Sequence, residues 1–105
     1  MKLSECLFTQ ALAGGTGAVD WTDDKRRRIF FLREGEIELV QSNLRSDSVE
    51  RIAVAHPGVD GPELAAIVGR TRVSASLRET AGEARWVAGQ PAPKQEPVSF
   101  ADAIW

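Results

Sequence analysis

Apolar and polar residues recur along this chain with two different periods, and the change from one to the other marks its elements. Leu3, Leu7 and Ala11 stand four apart, and Cys6, Phe8 and Leu12 broaden the same stripe, which predicts an amphipathic helix over residues 4–13. Ser4 reads as its N-cap, Leu3 and Phe8 as the two halves of a hydrophobic staple, and Gly14 with Gly15 as its stop. From residue 18 the period shortens towards two. Residues 18–21, 27–32 and 37–41 read as three strands of a meander, joined by the polar turn of Thr22, Asp23, Asp24 and Lys25 and by Arg33-Glu34-Gly35. In the third strand, alternation puts Ile37, Leu39 and Gln41 on one face and Glu36, Glu38 and Val40 on the other. Gly35 supplies the positive φ that a tight hairpin needs, and Gly17 reads as a second structural turn glycine, at the strand entry.

The second half returns to helical spacing. Asp47 with Glu50 three residues on resembles a capping box, followed by Val49, Ile52 and Ala53, so a short helix is expected over 47–55 and is stopped by His56-Pro57-Gly58. Gly61-Pro62-Glu63 opens a second helix carrying Leu64, Ile67 and Val68, expected over 62–69. Residues 71–88 fit two patterns. Val73, Ala75 and Leu77 alternate like a half-buried strand, whereas Val73, Leu77, Ala81 and Ala84 keep helical spacing. Residues 89–97 carry three prolines and few apolar anchors and read as a linker, and in residues 99–105 Phe100, Ala103 and Ile104 share a helical face.

Composition narrows the function classes. The 105 residues are 43% hydrophobic and 27% charged, as in an ordinary globular domain. Thirteen Lys and Arg against fifteen Asp and Glu give a formal charge of −2, without the basic footprint of a nucleic-acid binder. The single cysteine, Cys6, forms no internal disulfide and fits a reducing cytosol, so a cytoplasmic location is expected. Glu5 and Gln10 interrupt the N-terminal apolar stretch, and no run approaches the ~20 apolar residues of a membrane span.

Candidate chemistry is sparse. Lys25-Arg26-Arg27-Arg28 is the one concentrated basic run, and guanidinium pairs bind phosphate bidentately. Alternation sends Arg26 and Arg28 to one side of the strand and Arg27 to the other, while Asp20, Asp23, Asp24 and the Glu34–Glu38 stretch offset the charge. His56, the only histidine, sits in a loop with Asp60 near it in sequence, and no nucleophile motif accompanies it. Gly14-Gly15-Thr16-Gly17 follows a helix and precedes a strand, the reverse of a phosphate-cradling loop. No cofactor or metal is expected. Trp21 and Trp86 are candidates for core or sheet-edge packing first and for an interface second.

The helix of residues 3–12, Thr16-Gly17-Ala18-Val19, the aromatic strand Arg28-Ile29-Phe30-Phe31, the turn Glu34-Gly35-Glu36-Ile37 and Val40-Gln41-Ser42-Asn43 together resemble the PATAN (PatA N-terminal) domains. In that family a helix leads to a Thr-Gly-x-Leu-type strand, a charged turn, an aromatic-rich strand and a strand closing on Gln-x-Ser or Ala-x-Ser, then helices. The likeness covers the first half of the chain, with Ala18 where a larger apolar residue is usual. It implies a short strand before a Gly-Pro-rich loop, which favours Glu83–Ala88 as a returning strand. The expected fold is α+β: an N-terminal helix, a three- to four-stranded antiparallel meander, then short helices, with residues 1–90 as the domain, 91–98 as the Pro-rich linker and 99–105 as the start of a further helix or tail. The resemblance further implies a non-enzymatic protein-protein interaction (adaptor) module of bacterial cytoplasmic signalling. Its partners would be receiver-domain or small-GTPase proteins, with a homodimer as a further possibility. Phe8, Trp21, Arg26, Arg28 and Trp86 are the candidate interaction residues. The alternative is a small-ligand or nucleic-acid binding domain that uses the arginine-rich hairpin.

Overall fold

Strand β1 (Gly17–Asp23) lies between β2 (Arg26–Arg33) and β4 (Glu83–Ala88), and β3 (Glu36–Ser42) closes the far side of β2, so one antiparallel sheet runs β3-β2-β1-β4. Helix α1 (Leu3–Ala13) precedes the sheet, and α2 (Val49–Ala55) and α3 (Gly61–Leu77) fall between β3 and β4. The structure, a computed structural model, describes residues 1–93. The expected fold class, a helix, then a meander, then helices, is the observed one. The end of the proposed linker and the helix proposed at 99–105 lie outside the described residues.

Both hairpins of the meander turn on two residues, since Asp23 pairs with Arg26 and Arg33 with Glu36. At the second turn Glu34 (φ 51°) and Gly35 (φ 84°) are both left-handed, the pairing that matches the twist of the flanking strands. Gly35 is held by more than its dihedral. A Cβ there would lie 2.5 Å from the Ala11 carbonyl oxygen, and the Gly35 N–H donates to Gly15 O at 2.9 Å, so the turn is stitched to the end of α1. Gly17 is not in a turn. It is the first residue of β1, opposite Leu32 and Ala88, and a Cβ would lie 2.4 Å from Val87 O and 2.9 Å from the Trp86 ring. Its role is close approach, not reversal of the chain.

Cross-strand pairing sorts the sheet into two faces. Val19, Trp21, Phe30, Leu32, Val40 and Ala84 face the helices and pack with Leu3, Cys6 and Leu7 of α1. The opposite face carries one row of Leu39, Phe31, Ala18 and Val87 and a second of Gln41, Ile29, Asp20 and Arg85. The expected grouping of Ile37, Leu39 and Gln41 on one side of β3 fails at a bulge. Phe31 pairs with Leu39 but Leu32 with Ile37, leaving Glu38 as the extra residue, so Ile37 and Leu39 end on opposite faces and Val40 enters the core.

The helices depart from the sequence reading in instructive ways. Helix α1 starts at Leu3 with Lys2 at its N-cap and no side-chain cap, so Ser4 is inside the helix, and Phe8 at 61% exposure cannot staple to the buried Leu3. Helix α2 is capped by Ser48, whose hydroxyl accepts from the Arg51 N–H at 3.3 Å, and not by Asp47, which is buried in a 3₁₀ turn at Arg45–Asp47. Its main contacts run to that turn and to α3. Helix α3 passes through Gly69 and continues to Leu77, resolving the first part of the ambiguous stretch as helix, while Glu83–Ala88 is the returning strand. Gly69 does not end the helix because a single internal glycine costs only about 1 kcal/mol, less than packing supplies.

Candidate functional site

The three arginines of the basic run sit on β2, with Lys25 in the first hairpin turn, and the alternation of the strand divides them as expected, with Arg27 on the helix-free face and Arg26 and Arg28 on the other. Each meets carboxylates. Arg27 donates through Nε and Nη2 to the two oxygens of Asp20, at 3.2 and 3.0 Å. Arg26 is paired with Asp23 and reaches both oxygens of Glu79 at 3.2 Å. Arg28, 2% exposed, donates through Nε at 3.0 Å and stands 2.8 Å from Asp47 through Nη2. Its Nη1 has no hydrogen-bond partner among the described residues and lies 3.7 Å from Glu79 Oε2. The Arg26 and Arg28 guanidinium groups stand 5.2 and 5.3 Å from the ring centroid of Trp21.

A further arginine, inconspicuous in the sequence, completes this cluster. Arg72, on the buried side of α3, donates from Nε to the Asp47 carbonyl at 2.9 Å and from Nη1 to the Val40 carbonyl at 2.8 Å. The Asp47 side chain also accepts from the Ser42 hydroxyl at 2.6 Å, so one aspartate organises the 3₁₀ turn, β2, β3 and α3 together. Burial pulls the Arg72 pKa down from its ordinary value, the Asp47 charge opposes that, and the neighbouring Arg28 adds to it. An arginine titrates so far above neutrality that the guanidinium stays charged.

Of the five candidate interaction residues, Trp21 and Trp86 take the core packing that the sequence reading placed first, and Arg28 is enclosed as well. Trp21 is fully buried with its Nε1–H donated to Ala81 O at 3.1 Å, Arg28 is enclosed with Asp47, and half-buried Trp86 packs on the core beside Gly15 and Gly17. Arg26 keeps an accessible edge but is paired with two carboxylates. Phe8 alone projects freely, and with it Leu12, one turn on and 87% exposed. The sequence reading put both inside the apolar stripe. Helix α1 in fact buries a narrow stripe of Leu3, Cys6 and Leu7 and leaves a second apolar strip outward. Beside β3, the strand edge and α3 enclose an apolar groove of about 550 Å³ lined by Ile37, Leu39, Val40, Val68 and Val73, with Ala65, Ala66 and Gly69 keeping the helix wall low.

Nothing among the described residues forms a cluster that would hold a metal ion. His56 is exposed at the C-cap of α2 and Asp60 is exposed at the N-cap of α3, and no hydrogen bond joins their side chains. The Cys6 thiol is buried under α1, and burial raises its pKa, which makes it a poor nucleophile. Among the described residues no helix is long and apolar enough to cross a membrane. Comparison with protein-family models, curated protein sequences and solved structures gives no match to this chain.

Proposed function

We propose that this domain is a non-enzymatic adaptor that binds other proteins, used in bacterial cytoplasmic signalling in the manner of the PATAN domains it resembles. The observation that carries the reading is the contrast on its surface: the arginine run is neutralised within the fold, while Phe8 and Leu12 stand bare on α1. Large apolar side chains lose most by facing water, and aromatic anchors dominate protein interfaces. The strip on α1 and the groove between α3 and β3 supply apolar surface that a receiver-type domain, a small GTPase or a second copy would cover. The rival, a phosphate or oligonucleotide site on the hairpin, is disfavoured because each bidentate contact would first have to displace a carboxylate from Arg26 or Arg27.

Calorimetric titration against receiver domains and small GTPases, run beside nucleotides and a short oligonucleotide at low and moderate salt, tests this. The adaptor reading expects a protein partner whose affinity barely changes with salt and falls on Phe8→Ser. Salt-sensitive oligonucleotide binding with no protein partner would replace it by the rival.

A further inference from the structure

No described element covers the groove between α3 and the outer side of β3. Ile37 is 41% exposed at its mouth, and Ala65 and Ala66 are exposed on its helix wall. Gly69 lies in the middle of that wall. A Cβ there would meet nothing within 4 Å, so α3 carries a helix-weakening residue that the packing of its own chain does not require. β3 is an outer strand of the sheet, but its edge is closed to a further strand. Arg72 Nη1 already occupies the Val40 carbonyl at 2.8 Å, the bulge at Glu38 breaks the ladder spacing, and Glu36 and Glu38 stand exposed along it. The groove is therefore shaped for a helix, and its walls differ in charge. β3 contributes Glu38, held only by a 3.6 Å approach of Arg33, with Glu36 two residues away. α3 contributes Arg70, which is exposed and has no ion pair or hydrogen bond among the described residues.

We infer that the occupant of this groove is a second copy of the chain, docked about a two-fold axis so that α3 of each copy lies in the groove of the other. A two-fold interface has to be self-complementary. This groove is, because the basic helix wall of one copy meets the acidic strand wall of the other, and the pairing occurs twice. Arg70 faces the partner's Glu38, which gives each the opposite charge that its own chain leaves weak or missing. Ala65, Ala66 and Gly69 let the two α3 helices reach the ~8–10 Å spacing of packed axes, and Ile37, Leu39 and Val73 leave water as they do so. A foreign helix would have to bring both the small side chains and the base, whereas the chain's own α3 already carries them. The inference rests on the adaptor reading only in treating the groove as a protein interface, and it leaves the strip on α1 to other proteins.

Sedimentation equilibrium of the full chain over a wide concentration range is the test. A reversible dimer is expected, with Arg70→Glu and Gly69→Leu each weakening it by about tenfold or more and the exchanged pair, Arg70→Glu with Glu38→Arg, restoring it. Circular dichroism checks that the variants are folded, and both single changes fall where the chain leaves open space. A parent that stays monomeric, a dimer indifferent to both single changes, or an exchanged pair no tighter than Arg70→Glu alone overturns the inference. Receiver domains and small GTPases are titrated separately against Arg70→Glu. Their binding to it supports the adaptor reading whatever becomes of the dimer, and a self-dimer that binds none of them removes the adaptor reading and leaves this inference standing.

Discussion

The two ends of the helix-facing side of the sheet are held by opposite means. Under α1, Leu3, Cys6 and Leu7 meet Val19, Phe30 and Leu32, and attachment is apolar burial worth roughly 1.5–3 kcal/mol for each large side chain. Under α3, the equivalent positions are Arg28, Ser42, Asp47, Arg72 and Ser76, all buried, and attachment runs through charged hydrogen bonds. The apolar end tolerates imprecision, because dispersion and water exclusion are non-directional. The ionic end does not. Removing one partner strands a charge in a place that cannot solvate it, so its stability depends on the whole set being present.

Asp47→Ala breaks that set most severely, leaving Arg28 and the turn around Arg72 without their shared anion. A loss of about 3–5 kcal/mol is expected by urea unfolding, a large part of the ~5–15 kcal/mol typical of a domain. A loss below about 1 kcal/mol would place the cluster at the solvent edge. Leu7→Ala at the apolar end should cost about 2–5 kcal/mol. The ends then separate in how they are repaired, because Asp47→Leu combined with Arg28→Met, which removes both charges, should regain much of the loss of Asp47→Ala. Gly35→Val, which needs a positive φ at a β-branched residue and pushes a Cβ against Ala11 O, should cost about 1–3 kcal/mol and lower the thermal midpoint. Smallest is Leu12→Ser on the bare strip of α1, expected to stay within about 0.5 kcal/mol of the parent. A larger loss there would mean that α1 packs through this side too.

The same contrast explains what could be read from the sequence. Alternation and turn chemistry are local, so the meander and Gly35 were legible, and so was the division of Arg26 and Arg28 from Arg27, whereas periodicity left residues 71–88 open and the strand at Glu83–Ala88 was expected only from the family resemblance. The ionic end was not legible. Arg72 and Ser76 occupy the buried side of α3, so that helix shows little apolar periodicity beyond Val68, and its last two turns read equally well as a strand. Asp47 looked like a helix cap because a capping aspartate and a buried ion-pair partner have the same local sequence. Only the fold brings it to Arg28, nineteen residues away. On α1, a stripe broad enough to include Phe8 and Leu12 was visible, but spacing alone does not tell which edge of it meets the sheet. The bulge at Glu38 had no sequence signal, and it alone moved Val40 into the core.

The central claim, that the conspicuous arginines are an internal ionic scaffold and not a ligand site, is tested most directly by a double-mutant cycle between Arg28 and Asp47. Equilibrium urea unfolding of the parent, Arg28→Ala, Asp47→Ala and the double variant gives their coupling. The scaffold account predicts that each single change is strongly destabilising and that the double variant loses about 1–3 kcal/mol less than their sum. Single effects that are small and add to within about 0.5 kcal/mol would contradict it.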